Sequence, residues 1–414
     1  MKVVHVSSSD RNGGACIAGY RQHRALCEAG VDSEMLVLRK ETIDDSVNRF
    51  EPSSNLASRA RRAVHRMTTS VTRRMWGLNS EFNESRGAYA KSVASSISAA
   101  DVVNLQHTSG FVDYTEFVAN LSPSIPLVIT LHDFSAITGG CYYPGTCHRF
   151  EAECKECPLL KRHSSFDLAA LGASRRNRAY RSRSRKSLRF VADSSWLGTK
   201  AKSSSLCSAF DVDVIHYGVD TGIFTPIDRQ LARTALGLSH DRLIIGFSAA
   251  NVANPRKGMA YLLAALKGLR GDPMLLCWGH SYPTELQSFS HIHLGNQSSE
   301  QILALAYSAA DLCAVPSLEE AFGQTALESL ACGTPAVAFN AGGLTDIVIH
   351  ERTGLVVEVG NTDELRIAIE RLASDAALRN QLGQNGRALV EREYSFARNA
   401  NEYLRVYQEL IQHG

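Results

Sequence analysis

Asp311 to Gly343 reads D-L-C-A-V-P-S-L-E-E-A-F-G-Q-T-A-L-E-S-L-A-C-G-T-P-A-V-A-F-N-A-G-G, and this stretch decides the fold. Leu312–Val315 is short and wholly apolar, as a strand buried on both faces must be, and it ends at Pro316-Ser317. A turn carrying Glu320 follows, and a helix rich in small residues opens near Phe322-Gly323. A second apolar strand, Ala336–Phe339, ends at Gly342-Gly343. The unit is β-α-β, with a carboxylate and a glycine where strand gives way to helix. Open parallel sheets bind ligands at that edge, where a helix N-terminus offers N–H groups and positive dipole to a phosphate. Glu328 follows Glu320 at a spacing of E-x7-E, inside the helix. A carboxylate accepts two hydrogen bonds at once, which suits it to vicinal hydroxyls.

The same alternation extends in both directions. Before the unit come Leu243–Phe247, Met274–Trp278 and His291–Leu294; after it comes Leu355–Val357. In the first half, Val3–Val6, Met35–Leu38, Val102–Leu105, Leu127–Leu131 and Phe190–Ala192 read as buried strands. Alternating strands and helices imply parallel sheets covered by helices. A chain of 414 residues exceeds one ordinary domain and fits two. The glycines and proline of V-I-H-Y-G-V-D-T-G-I-F-T-P (Val214–Pro226) mark the boundary. Glu41–Ala90 is polar and poorly periodic, so an irregular insertion or mobile helices are expected there. With 44% hydrophobic and 21% charged residues the composition is that of a globular protein, and no apolar run reaches spanning length. Met1–Val6 reads as a strand and not as the head of a signal peptide, which leads us to expect a cytoplasmic protein.

A bare E-x7-E on a helix describes a solvated face. The context P-S-x-x-E-A-F-G…E-S-L-A-C-G-T-P-A-V…G-G is more specific, and it resembles the retaining glycosyltransferases of family 4. The resemblance runs from Met1 to about Tyr407 and is strongest between Asp311 and Leu355. It implies an α/β protein of the GT-B fold, two doubly wound (Rossmann-like) domains facing a cleft. Residues 1–217 with a closing helix at 398–414 form the acceptor side, and 218–397 bind the donor. By this resemblance Glu320 meets the donor sugar and Glu328 the ribose hydroxyls. The backbone at Ala321, Phe322, Gly323 and Gln324 meets sugar and phosphate. The implied reaction moves a sugar, with retention, from a nucleotide diphosphate sugar to a glycan or lipid-linked oligosaccharide, in surface polysaccharide biosynthesis. Two other readings stay open: a nucleotide-sugar epimerase or isomerase on the same fold, and a non-catalytic membrane or nucleotide-sugar binding protein.

Further residues fit the same chemistry. Gly13-Gly14 follow the first strand, where absent Cβ atoms let backbone N–H groups approach an anion, although a plain tight turn would look alike. Asn254-Pro255-Arg256-Lys257-Gly258 follow Leu243–Phe247, and Lys257 matches the family's diphosphate-neutralising lysine. The family's companion arginine falls where this chain has Ala250-Asn251-Val252, a departure for which Arg256 is the candidate replacement. His132, at the end of L-V-I-T-L, matches a histidine the family sets near the donor sugar; a structural role is the common one for such a residue. His107 ends D-V-V-N-L-Q nearby. Asp211-Val212-Asp213 lies in an alternating run whose aspartates point to solvent, and no catalytic metal is expected.

Two features stand apart. Cys141, Cys147, Cys154 and Cys157 are spaced C-x5-C-x6-C-x2-C, which suits a structural zinc better than disulfides or isolated thiols. Arg175 to Arg189 (R-R-N-R-A-Y-R-S-R-S-R-K-S-L-R) contains no acid. With almost no aromatic residue for base stacking it points to an anionic membrane surface and not to nucleic acid, so peripheral attachment at the inner face of the membrane is expected. Pro52–Ser80 also lacks acids and holds Arg59, Arg61, Arg62, Arg66, Arg73 and Arg74.

Overall fold

The computed structural model describes residues 1–78, 81–82, 87–162 and 164–413, except for the side chains of 56–58, 61, 62 and 413. Asn79, Ser80 and the side chains of Arg61 and Arg62 in the first basic stretch therefore lie outside the described residues. The chain divides into Met1–His216 with Asn399–Gly414, and Tyr217–Arg398.

In the first unit the order is β1 (Lys2–Ser9), α1 (Gly14–Glu28), β2 (Asp32–Arg39), β3 (Val47–Arg49), α2 (Leu56–Trp76), α3 (Ala90–Ser96) and β4 (Val102–Leu105). It continues with α4 (Tyr114–Asn120), β5 (Leu127–Leu131), α5 (Leu168–Arg181), β6 (Leu188–Ala192), α6 (Ser195–Ser203) and β7 (Val212–Val214). The sheet is seven-stranded in the order β3-β2-β1-β4-β5-β6-β7, and every pairing is parallel. Two-sided burial explains the largely apolar runs of β4 and β5, none of whose residues is exposed and whose Asn104 and Thr130 bond to each other.

In the second unit α7 (Arg229–Leu236), β8 (Ile244–Asn251), α8 (Met259–Lys267), β9 (Met274–His280), β10 (His291–His293), α9 (Glu300–Ala309) and β11 (Leu312–Val315) come first. Then follow α10 (Gln324–Ala331), β12 (Ala336–Phe339), α11 (Leu344–Ile347), β13 (Gly354–Val357), α12 (Thr362–Ser374) and α13 (Ala376–Glu393). These strands form a six-stranded parallel sheet, β10-β9-β8-β11-β12-β13. Side-chain caps at Asp228, Ser299, Asn361 and Asp375 satisfy the first N–H groups of α7, α9, α12 and α13. The last helix, α14 (Phe396–His413), belongs to the first unit from Asn399 onward, where Tyr403 and Tyr407 are buried.

Both sheets are doubly wound. Strand order reverses between β1 and β4 in the first and between β8 and β11 in the second, which is where such sheets open a crevice at their carboxyl ends. Three departures from the sequence reading have local causes. Glu41–Ala90 holds a strand, β3, and a long helix, α2, because β2 extends a parallel register to Val47–Arg49 and arginine and alanine are good helix formers. Edge strand β7 follows Asp211, which is exposed as expected and 3.6 Å from Arg189, whereas Asp213 inside it is turned to Arg189 at 2.7 Å and does not simply face solvent. The turn before α10 runs one residue further than expected, and the helix opens at Gln324.

Candidate active site

The second unit's switch point is built by two loops. Asn254 caps a single helical turn, Pro255–Lys257, after β8, by accepting from Arg256 N. Gly258 then turns left-handed (φ +76°), and a Cβ there would stand 1.8 Å from the carbonyl oxygen of Pro316, in the loop after β11. Leu318 N donates to Arg256 O at 2.8 Å, tying the same loops together. The apposition delivers Lys257 Nζ to Glu320 Oε2 at 2.5 Å, and Ser317 Oγ donates to that oxygen at 3.1 Å. Arg256 Nη1 donates to Glu319 O at 2.6 Å and lies 3.9 Å from Glu320 Oε2. Burial alone would raise the Glu320 carboxyl. The charges of Lys257 and Arg256 and the hydrogen bonds from Lys257 and Ser317 outweigh it, holding the group below its ordinary value.

Beside this pair, α10 begins without a capping side chain, because its N-cap is Gly323 at φ +107°. A helix start so arranged accepts an anion readily. Ala321 and Phe322 are buried; the Phe322 ring packs edge-on against Tyr217 at 4.8 Å, which leaves only its backbone for recognition. Glu328, also buried, accepts from Tyr307 Oη at 2.7 Å, and Tyr307 is itself pushed well above the usual phenol range by burial and by the Glu328 charge. Ser317 and Tyr307 were missed from sequence. Nothing in a lone hydroxyl marks it as the partner of a carboxylate a turn or a helix away in space.

At the first unit's strand ends burial disfavours charge on the imidazoles. Gly13 (φ +91°) precedes α1, with open space where a Cβ would stand, and no side chain caps that helix. His132 Nε2 lies 2.8 Å from Gln106 Oε1; an amide oxygen only accepts, so the imidazole carries its proton on Nε2. Gln106 Nε2 donates to His5 Nδ1 (3.1 Å) and to Gln22 Oε1 (2.8 Å). Tyr407 Oη accepts in turn from Gln22 (3.0 Å) and Asn104 (2.8 Å), so α14 ends the chain of bonds. Burial, with His107 adding to it, pushes His132 down to about 3. His107 Nδ1 stands 3.9 Å from Asp133, and burial lowers it despite that carboxylate. Gln106 escaped the sequence reading, although a polar residue closing an apolar strand was a usable signal.

The four cysteines of the 141–157 loop are free, half-buried thiols. Cys154 Sγ accepts from Gly139 N at 3.2 Å, and Cys157 N donates to Asp167, the cap of α5, at 2.6 Å. Burial, and then the charge of the neighbouring thiols, pushes Cys141 up to about 12 and Cys154 to about 11. Among the described residues no three His, Cys, Asp or Glu side chains are grouped so as to hold a metal ion. A structural zinc would have to draw these sulfurs together.

The run from Arg175 to Arg189 is not a uniform basic face. Arg176 is buried and donates to Thr138 O at 3.0 Å. Arg183 is buried too, and its guanidinium serves the carbonyls of Leu121, Ser122 and Ile125. Arg189 is committed to Asp213 and Asp211. Only Arg175, Arg178, Arg181, Arg185 and Lys186 are exposed, because α5 and the turn after it use the other arginines to satisfy inward-facing carbonyls and acids.

Comparison with known proteins bears on both units. Residues 228–389 match the family model of glycosyl transferases group 1. A D-inositol 3-phosphate glycosyltransferase of Mycobacteroides abscessus is 36% identical over 199 residues, 44% of this chain and 44% of that protein. One of the same name from Saccharomonospora viridis is 33% identical over 246 residues, covering 53% and 56%. The chain thus spans about half the length of the curated relatives it matches. Among solved structures, sucrose-phosphate synthase from Thermosynechococcus elongatus superposes with a TM-score of 0.69 at 20% identity, over all of both chains. Anabaena HepE in complex with UDP-glucose does so with a TM-score of 0.70 at 16% identity, covering 99% of each. At such identities the likeness establishes the fold, that of the GT-B glycosyltransferases.

Proposed function

We propose that the chain is a retaining glycosyltransferase that moves a sugar from a nucleotide diphosphate sugar, held by the second unit, to a hydroxyl of a glycan or lipid-linked acceptor. A role in surface polysaccharide synthesis belongs to the same proposal. The observation that carries it is the Lys257–Glu320 pair at the β8/β11 switch point, beside the uncapped start of α10. An arriving diphosphate draws the Lys257 ammonium toward itself, and the released Glu320 carboxylate accepts from sugar hydroxyls. As the sugar departs, Lys257, Arg256 and the α10 dipole meet the charge left on the diphosphate, so the step asks for no catalytic metal. Tyr307 orients Glu328 for the ribose hydroxyls. The match of residues 228–389 supports the reaction class, and UDP-glucose in a protein of like fold supports the donor class.

Calorimetry with UDP, GDP, ADP and TDP tests the donor site. One nucleotide should bind wild type and lose about 10- to 100-fold in affinity in Glu328→Ala, the worth of hydrogen bonds to a charged group. Failure of all four to bind removes the proposal. Nucleotide release only on addition of an acceptor separates a transferase from an epimerase.

A further inference from the structure

Helix α2 carries no acid, and most of its described side chains are exposed. Val64, Met67, Val71 and Met75 are exposed by 57%, 64%, 51% and 50%. At about 100° per residue these four fall within one quadrant of the helix, forming a single apolar stripe. Arg59, Arg66 and Arg73 recur every seventh residue on the opposite side, and Arg74 flanks the stripe. The end of the helix is anchored. Trp76 packs onto a small core of Phe82, Leu160 and Ala169, Trp76 O accepts from Lys161 N at 3.0 Å, and left-handed Gly77 closes against the Lys161 side chain. The helix is therefore fixed at one end while its apolar face meets water.

From this we infer that α2 is an interfacial helix which lays its Val64–Met67–Val71–Met75 stripe into an anionic lipid surface, with its arginines reaching the head groups. An exposed apolar stripe of this size marks a contact surface, and six arginines without one acid select a negatively charged one. Long arginine side chains can lie along the helix and raise their guanidinium to head-group level. The helix is suited to lie on a bilayer and not to cross it: among the described residues no helix is long and apolar enough to span. The membrane contact expected of Arg175–Arg189 is thus better served by α2, since three of those arginines are turned inward. The inference does not depend on the donor chemistry proposed above.

Vesicle sedimentation tests it, using phosphatidylcholine alone and phosphatidylcholine with phosphatidylglycerol. Wild type should sediment with the mixed vesicles, weakly with the neutral ones, and less as salt is raised. Val64→Asp/Met67→Asp/Val71→Asp should abolish sedimentation, and Arg59→Gln/Arg66→Gln should weaken it about fivefold per arginine. All these side chains are exposed, so thermal melting and nucleotide binding should stay as in wild type. Equal sedimentation of the triple variant and wild type overturns the inference. So does loss of binding in Arg178→Gln/Arg181→Gln with the α2 variants unaffected. A wild-type dimer that the triple variant turns into a monomer, with no lipid binding by either, assigns the stripe to a second copy of the chain and overturns it as well.

Discussion

At the strand ends of the second unit a lysine and a glutamate meet as ions, while at those of the first a histidine is hydrogen-bonded to an amide and held neutral. The sheets share one topology rule, the reversal of strand order beside the first strand, yet their crevices differ in charge. In the second, Lys257 and Arg256 face the buried Glu320 carboxylate beside the uncapped start of α10. In the first, burial disfavours charge on the imidazoles, even beside the Asp133 carboxylate. On the proposed reaction, charge stabilisation falls to Lys257, and His132 is expected to contribute less.

The largest effect expected from this contrast is on rate. Lys257→Ala should slow transfer by about 10²- to 10³-fold, the cost of removing one charge-stabilising donor, while His132→Ala should cost less. Steady-state turnover with the donor found by calorimetry measures both, and equal losses would erase the division of labour. Next comes backbone stability. Gly258→Ala faces the Pro316 carbonyl at 1.8 Å as well as a positive φ, whereas Gly13→Ala meets a positive φ alone. The first should unfold at clearly lower denaturant concentration than wild type; the second should lose only about 1 kcal/mol. If the two melt alike, the loops of the second unit are not held as tightly as Gly258 indicates.

The smallest effect concerns acid. Burial holds His132 at about 3 and His23 at about 4, and also lowers His5 well below its ordinary value of 6.5. Between those values the unfolded chain binds more protons than the folded one, so stability is complete above about 6.5 and declines as pH falls toward 4. Glu320, also lowered, keeps its contribution above the ordinary carboxylate value of 4.5 and loses it only as pH falls through its own lower value. Hydrogen exchange between pH 7 and pH 5 should therefore open peptides of the first unit before those of the second. Earlier opening around Lys257 and Glu320 would reverse the comparison.

Legibility in the sequence followed how local each signal was. Strands β4, β5, β11 and β12 carry the bounds their apolar runs predicted, since two-sided burial keeps them apolar but for Asn104 and Thr130, which bond to each other. Strands β3 and β7, each three residues long, were not foreseen, because a short edge strand is decided by the register offered by its neighbour. The arginine-rich run of 175–189 was the most misleading segment. Composition could not reveal that Arg176 and Arg183 are spent on carbonyls far away in sequence.

What the sequence by itself determined is the β-α-β grammar and the residues at each strand end. Burial periodicity, glycine and proline are local, and Lys257, Glu320, Gly13 and His132 stand where a strand gives way to a loop or helix, with Glu328 one turn into α10. What only the tertiary structure decided is which of them meet. Lys257 reaches Glu320 because β8 and β11 are neighbours in the sheet, and because a glycine lets one loop close on the carbonyl of the other. Gln106 fixes His132 because β4 and β5 pair in register, and the α2 stripe is exposed because no described residue buries it. Such pairings are set by strand order and packing over long separations, and no local pattern encodes them.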